Sequence, residues 1–161
     1  MMNKLLAFFL ILFSTSIVSA QVWESQSIQY PVPSFGWNMR PIGDSVVWNF
    51  GNEIDSALNY TDEHYSIQKT TDAGKTWNTF NFPNVGLGFL SDIFALDEKT
   101  AWISYVNYAT GIYVYKTDDG GNIWVDQNVP LQSWVNWVYF YDKDNGIAVG
   151  DPDSNLNFEI Y

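Results

Sequence analysis

Thr70, Asp72, Gly74 and Trp77 recur 47 residues later as Thr117, Asp119, Gly121 and Trp124. The stretches around them, KTTDAGKTW and KTDDGGNIW, are near copies. A carboxylate beside an indole is chemistry for a sugar, and an acidic turn is chemistry for a hard metal ion. The same residues also build a turn. An Asp carboxylate accepts bonds from nearby backbone N–H groups. Gly supplies a backbone angle that other residues resist, and Trp buries a large ring. Turn chemistry accounts for every position, so Asp72 and Asp119 are expected to fold the chain rather than to bind.

A second set of residues is better suited to a ligand. The stretch 51–65, GNEIDSALNYTDEHY, carries Glu53, Asp55, Asp62, Glu63 and the single histidine, His64. It reads as one long loop. A corresponding loop begins DPDSN at 151–155, with Asp151 and Asp153. Connecting segments add Tyr30, Phe35, Trp37, Phe89, Trp134 and Trp137. Rings that stack and carboxylates that accept hydroxyl bonds would suit a sugar, and the same surface would suit a cationic partner. The plainer alternative puts the rings in the core and leaves the acids solvated. Zinc needs several His or Cys ligands, and one histidine with no cysteine does not supply them. DKDNG at 142–146 has Gly in fifth place, where a helix–loop–helix calcium site needs it sixth, so it reads as a hairpin turn. No metal, no cofactor and no catalytic residue is expected.

The elements that must position these residues are strands. After residue 21, short runs rich in Val, Ile, Tyr, Phe and Trp alternate with Gly, Asn, Asp and Pro clusters, which is an all-β pattern. Strands are expected at 45–50, 65–69, 77–80, 93–96, 100–106, 112–116, 124–127, 135–141 and 147–149. The repeat reaches beyond the acidic turns. IFALDEKTAWI at 93–103 aligns with VYFYDKDNGIA at 138–148, and SVVWNF at 45–50 with TAWISY at 100–105. Four strands in each ~45 residues are the signature of a propeller blade.

The expected fold is therefore a β-propeller of four-stranded blades, with about two and a half blades in this chain. Blade one spans about 35–80 and blade two about 89–128. Blade three starts near Val135 and stops at Tyr161, before its acidic turn. VWESQ at 22–26 resembles IWVDQ at 123–127, with Trp23 on Trp124. It reads as an outermost fourth strand without a blade of its own. Further C-terminal blades, and a third acidic turn shortly after Tyr161, are expected. The alternative is a self-contained small β-domain.

The pattern Ser/Thr-x-Asp-x-Gly-x-x-Trp resembles the Asp-box, or bacterial neuraminidase repeat. Thr70, Asp72, Gly74 and Trp77 match it, with Thr76 in its usual place. Thr117, Asp119, Gly121 and Trp124 match too, with Ile123 in place of that threonine. YDKDNGIAVGD at 141–151 is similar to the first hairpin of photosystem II assembly factor-like and sortilin-type propellers. The resemblance covers nearly all of 21–161. It implies a box on the turn between third and fourth strands, away from the ligand-binding face. A possible ligand face is then Trp37, Glu53, Asp55, His64, Trp134, Asp151 and Asp153. A sialidase resemblance would imply three arginines gripping a carboxylate, and this chain has Arg40 alone. Lysine does not reproduce that bidentate grip. A propeller glycosidase using two carboxylates remains the alternative function, and a surface adhesin is a third.

Residues 1–20 read as an address. Lys4 precedes the apolar run Leu5 to Phe13, and Val18-Ser19-Ala20 fits a cleavage site before Gln21, as in a secretory signal peptide. The run is too short to span a bilayer, which takes ~20 apolar residues, and no membrane span is expected after cleavage. The mature chain would be 21–161, secreted or at the cell surface. Loss of Lys4 moves the net charge from −11 to −12. Such a surface repels nucleic acid phosphates, so nucleic acid is excluded as a partner, and a protein or glycan is expected. Export without cysteine fits a bacterial protein better than a small stapled eukaryotic domain. With 18% aromatic residues the chain is no disordered one.

Overall fold

The structure, a computed structural model, describes residues 24–83, 86–152 and 155–161, without the side chains at 62, 63 and 159. The proposed leader at 1–20, Trp23 and Asp153 lie outside the described residues. Within them the chain is all β and contains no helix. The strands are β1 (Ser34–Ile42), β2 (Val46–Ile54), β3 (Tyr60–Thr70) and β4 (Asn78–Asn81), then β5 (Gly88–Ala95), β6 (Ala101–Asn107), β7 (Gly111–Thr117) and β8 (Val125–Asp126), then β9 (Val135–Phe140), β10 (Gly146–Pro152) and β11 (Phe158–Ile160). They form three antiparallel sheets in simple up-and-down order, β1-β2-β3-β4, β5-β6-β7-β8 and β9-β10-β11. Short links that carry turn-forming residues let adjacent strands pair, with Gly43, Asp44 and Ser45 in 43–45, Asp97 in 96–100, and Asp142, Asp144 and Asn145 in 141–145.

The sheets pack face to face in chain order, and two cores result. The first holds Trp48, Phe50 and Ile67 from the first sheet against Leu90, Ile93, Ile103, Tyr105 and Trp124 from the second. The second holds Phe94, Trp102 and Val114 against Val135, Val138 and Ala148 of the third sheet. The period-2 geometry of a strand explains this division. Along β6, Ala101, Ile103 and Tyr105 face the first sheet, while Trp102 faces the third. Both faces of β5 and β6 are covered, and every residue in these two strands is buried. Such strands read as continuous apolar runs rather than as alternating ones.

The segment 24–33 runs over the face of the first sheet that turns away from the second. Gln68 donates from Nε2 to the Gln29 carbonyl (3.1 Å), and the Tyr30 hydroxyl bonds Asn49 Oδ1. The Tyr30 ring lies so close to Gly51 that a Cβ there would sit 2.6 Å from it. Burial pushes the Tyr30 phenol up to about 12. The same linker position between the first and second sheets is held by Phe82, and between the second and third by Val129 and Leu131.

Several details of the strand reading are corrected. Val47 pairs with Thr70 as Ala101 pairs with Thr117, so the alignment of SVVWNF with TAWISY is one residue out, and Val47 rather than Val46 matches Ala101. The stretch 51–65 is not one long loop. β2 continues to Ile54 and β3 starts at Tyr60, so the loop is 55–59. Polar residues such as Asn52 and Glu53 hid the strand, but Asn52 is buried and bonds across to β5 through the Leu90 backbone (3.0 and 3.2 Å). Phe35 and Trp37 lie in β1, Phe89 in β5 and Trp137 in β9, none of them in a connecting segment, and β1 has a bulge between Gly36 and Asn38. Asp151 lies within β10, which runs to Pro152, instead of opening a loop.

Candidate binding face

The two acidic turns have one hydrogen-bond plan. The Thr70 hydroxyl donates to Asp72 Oδ1 (2.8 Å) and accepts from the Gly74 N–H (2.9 Å). Thr117 does the same with Asp119 (2.9 Å) and Gly121 (3.0 Å). Asp72 Oδ1 then accepts the Thr76 N–H, and Asp119 Oδ1 the Ile123 N–H. The glycines hold φ of +85° and +102°, in the region that only Gly enters without strain. Each indole returns an N–H bond to its glycine carbonyl, Trp77 to Gly74 and Trp124 to Gly121, both at 3.1 Å. Bonds from the Thr76 hydroxyl and N–H, then from Thr70, hold the Asp72 carboxyl down at about 2. Asp119 is lowered too, first by the Ile123 N–H. Both carboxylates are thus occupied by their own turns. Trp124 is buried between the first two sheets, whereas Trp77 lies half-buried on the open side of the first.

Strand direction puts these turns at one end of each sheet, beside the β1–β2 and β5–β6 turns. Ala73 N–H bonds the Ser45 carbonyl and Gly120 N–H the Lys99 carbonyl, each at 2.9 Å. The opposite end gathers the start of β1, the 55–59 loop and the start of β5. There the aromatic residues meet. Trp37 stands edge-on to Phe89 (5.4 Å between centroids), Phe89 meets Tyr60 (5.2 Å) and Trp134 (5.9 Å), and Phe35 flanks Trp37 (6.2 Å). Offset and edge-on pairs at these distances are favourable geometry. The row runs from β1 and β3 of the first sheet through β5 of the second to Trp134, just before β9. Phe89 is its buried centre, while Phe35 and Trp37 are 53% and 50% exposed.

Acidic groups border the row. Glu53 Oε2 accepts from the Thr61 hydroxyl and pairs with His64 Nδ1 at 2.7 Å. The Thr61 bond and then the His64 bond hold the Glu53 carboxyl below its ordinary range. Asp55 Oδ1 caps its loop through the Ala57 and Asn59 N–H groups, and its pKa falls, first from Asn59. Asp151 accepts from Asn136 Nδ2 (2.7 Å), and its N–H bonds the Trp134 carbonyl (2.7 Å). Of the residues expected on a ligand face, Trp37 and Trp134 join one aromatic row through Phe89, and Glu53 pairs with His64. Trp137 departs from the row and lines a different cavity with Asn38, Arg40 and Asp92.

That cavity holds a residue which sequence reasoning passed over. Asp92, on β5, is 5% exposed. Its Oδ1 accepts from Asn38 Nδ2 on β1, and its Oδ2 accepts the Val138 N–H on β9 (2.9 Å). One carboxylate therefore joins the first strands of all three sheets. The signal in the sequence was a lone acid inside the apolar run GFLSDIFA. Burial raises its pKa, against the bonds from Val138 and Asn38 and the nearby Arg40 charge.

An asparagine at 92 keeps one acceptor and turns an NH2 group toward one of two donors. Asp92→Asn is expected to cost about 1–3 kcal/mol in urea denaturation, the penalty for one buried unpaired group. The folded pKa lies above the ordinary 3.8. Asp92 then contributes most below that value, and its contribution falls as pH rises through the raised one. The gap between wild type and Asp92→Asn should narrow over that interval.

The chain matches no family model, no curated protein and no solved structure. Its two ends must therefore be compared by their chemistry. At the turn end the carboxylates are consumed by backbone bonds. At the aromatic end, half-exposed rings stand beside carboxylates fixed by Thr61, His64 and Asn136.

Proposed function

We propose that this chain is a non-catalytic, exported binding module of the Asp-box β-propeller class, and that it holds a glycan at its aromatic, acidic end. The observation that carries this is the row Phe35–Trp37–Phe89–Trp134, half-exposed at Phe35 and Trp37 and bordered by Glu53, Asp55 and Asp151. Indole and phenyl faces stack on the C–H faces of sugars, and fixed carboxylates accept hydroxyl bonds. The blade reading is supported by three consecutive up-and-down sheets, which pack first face to second face with one turn network repeated. A binding role is supported over catalysis by the state of the carboxylates. Glu53, Asp55 and Asp151 are each engaged by neighbouring donors, and the single arginine, Arg40, lies 4.1 Å over the Phe94 ring.

The test is a titration of the purified protein with neutral and amino-sugar oligosaccharides, followed by tryptophan fluorescence and calorimetry. Trp37→Ala is expected to weaken binding about tenfold, equivalent to about 1.4 kcal/mol. Trp77→Ala, at the other end, should leave affinity unchanged. Release of reducing sugar, or equal affinity of the Trp37→Ala protein, would overturn the reading.

A further inference from the structure

The fold sorts the charged side chains between its two ends. Of the seven basic residues Lys4 lies outside the described residues. Lys75, Lys99 and Lys143 sit in the first acidic turn, the β5–β6 turn and the β9–β10 turn. Lys69 and Lys116 reach the same end, where their ammonium groups bond the Glu98, Gly120 and Lys143 carbonyls. Arg40 lies over the Phe94 ring, close to the end of β1. Asp44, Asp118 and Asp144 are interspersed with those lysines, so the turn end carries both signs. The aromatic end carries Glu53, Asp55 and Asp151 and, among the described residues, no lysine or arginine. The chain's single histidine, His64, is spent there on its bond to Glu53.

Two of those carboxylates keep one oxygen unused. Glu53 Oε2 takes the Thr61 and His64 bonds, and Asp151 Oδ1 takes the Asn136 bond. Glu53 Oε1 and Asp151 Oδ2 accept no bond among the described residues. Each carboxylate flanks the rings. Thr61, which bonds Glu53, follows Tyr60 in β3, and the Asp151 N–H bonds the Trp134 carbonyl. The rings between them form a platform rather than a cage. Phe35, Trp37 and Tyr60 are exposed, and their centroids lie 6.2, 6.4 and 6.2 Å apart in pairs. They touch one another and leave no slot between them for an ammonium head group. A flat face laid across them gains contact with all three. These groups stand near the ends of strands and in loops, not on the sheet faces that receive a neighbouring sheet.

We propose that the glycan held at this end is a cationic one, built of sugars that carry a free, protonated amino group on the ring, and that Glu53 and Asp151 select it. The proposal rests on the glycan reading above. In such a sugar the ammonium sits directly on the ring whose C–H face stacks, so one rigid unit meets both the platform and the carboxylates. A lysine ammonium rides on a flexible four-carbon stem and loses that freedom on binding. An N-acetylated sugar offers the same ring without the charge, and an acidic sugar would meet carboxylates of its own sign. A surface of one sign also concentrates a cationic polymer before contact, an effect that salt removes.

Calorimetry in weakly acidic buffer, where the sugar amino groups are charged, compares a glucosamine hexamer with an N-acetylglucosamine hexamer. At low ionic strength the first should bind about tenfold more tightly, and the ratio should fall toward one in about 0.5 M salt. Glu53→Gln with Asp151→Asn keeps the shapes and removes both charges. That double variant should bring the two hexamers to within about twofold of each other. Asp118→Asn with Asp144→Asn makes the same change of net charge at the turn end and should keep the wild-type preference. Both double variants should retain the wild-type circular dichroism. Equal or tighter binding of the acetylated hexamer, weakened by Trp37→Ala, would overturn the charge selection and leave the glycan reading standing. Binding of neither hexamer would overturn both. Hexalysine bound as tightly as the amino-sugar hexamer would overturn the proposal in favour of a basic peptide. A preference lost equally in the turn-end variant would overturn the assignment to Glu53 and Asp151.

Discussion

Replacing Trp102 by alanine is expected to cost about 3–5 kcal/mol in urea denaturation, the range for removing a large buried ring. Trp102 is 1% exposed. One face of its indole stacks on Phe140, with centroids 3.8 Å apart and planes within 7°. The Lys116 ammonium stands over the ring at 5.3 Å. Alanine would leave a cavity between the second and third sheets, bounded by strands that cannot collapse without breaking their ladders. Trp102→Phe keeps most of the apolar area and should recover more than half of the loss. Trp77→Ala makes the comparison: that ring is half-buried on the open side, and its removal should cost clearly less. Equal losses at 77 and 102 would show that interface packing does not govern stability here.

Lys69→Met should be the second most damaging change, at about 2–4 kcal/mol. Lys69 precedes the first acidic turn, and its ammonium crosses to the second sheet. It donates to the Glu98 carbonyl and to the Gly120 carbonyl, both at 2.8 Å. It also lies over the Trp48 ring at 4.6 Å, while the Trp48 indole N–H bonds the Asp97 carbonyl (3.1 Å). Charge-assisted bonds of this kind contribute about 1.5–3 kcal/mol each and are not additive. Methionine preserves the stem packing and removes the donors, so the measured loss isolates them. Lys116 occupies the matching position and reaches the Lys143 carbonyl of the third sheet at 3.2 Å. It spends part of its charge on an exposed ion pair with Asp118. Lys116→Met should therefore cost less than Lys69→Met, by about 1 kcal/mol or more. Chemical denaturation of the two variants in one buffer decides the order.

Legibility in the sequence followed residue chemistry. The acidic turns were visible because Asp, Gly and Trp at fixed spacing serve a tight turn and little else. β6 was visible because two covered faces demand a nearly unbroken apolar run, whereas β5 was expected only from Ile93, since Ser91 and Asp92 interrupt its run. β1 was missed because WNMRPIG mixes polar residues with Pro and Gly, and its inward side chains, Asn38 and Arg40, are polar. β11 was missed because three residues are too few to show a period. The extensions of β2 and β3 were missed because hydrogen-bonded Asn52 and Glu53 look like loop residues. Lys69 and Lys116 stand first in both copies of the repeat. Their reach into the next sheet depends on a neighbour that no local pattern describes. Asp92 is the same case, for its partners are 54 and 46 residues away. On the candidate binding face, the residue types were legible and the row was not. Phe89 joins Trp37 to Trp134 only because the first strands of successive sheets lie side by side.

The two inner strands of the middle sheet, β5 and β6, have no face turned to water. They owe their burial to two neighbours at once, so neither neighbour can detach without exposing half of the core. Regions of this kind open only when the whole domain opens. The backbone amides of β6 should consequently be the slowest in the chain to trade their protons for deuterium, and the chain should resist trimming at either margin by melting as one unit rather than sheet by sheet.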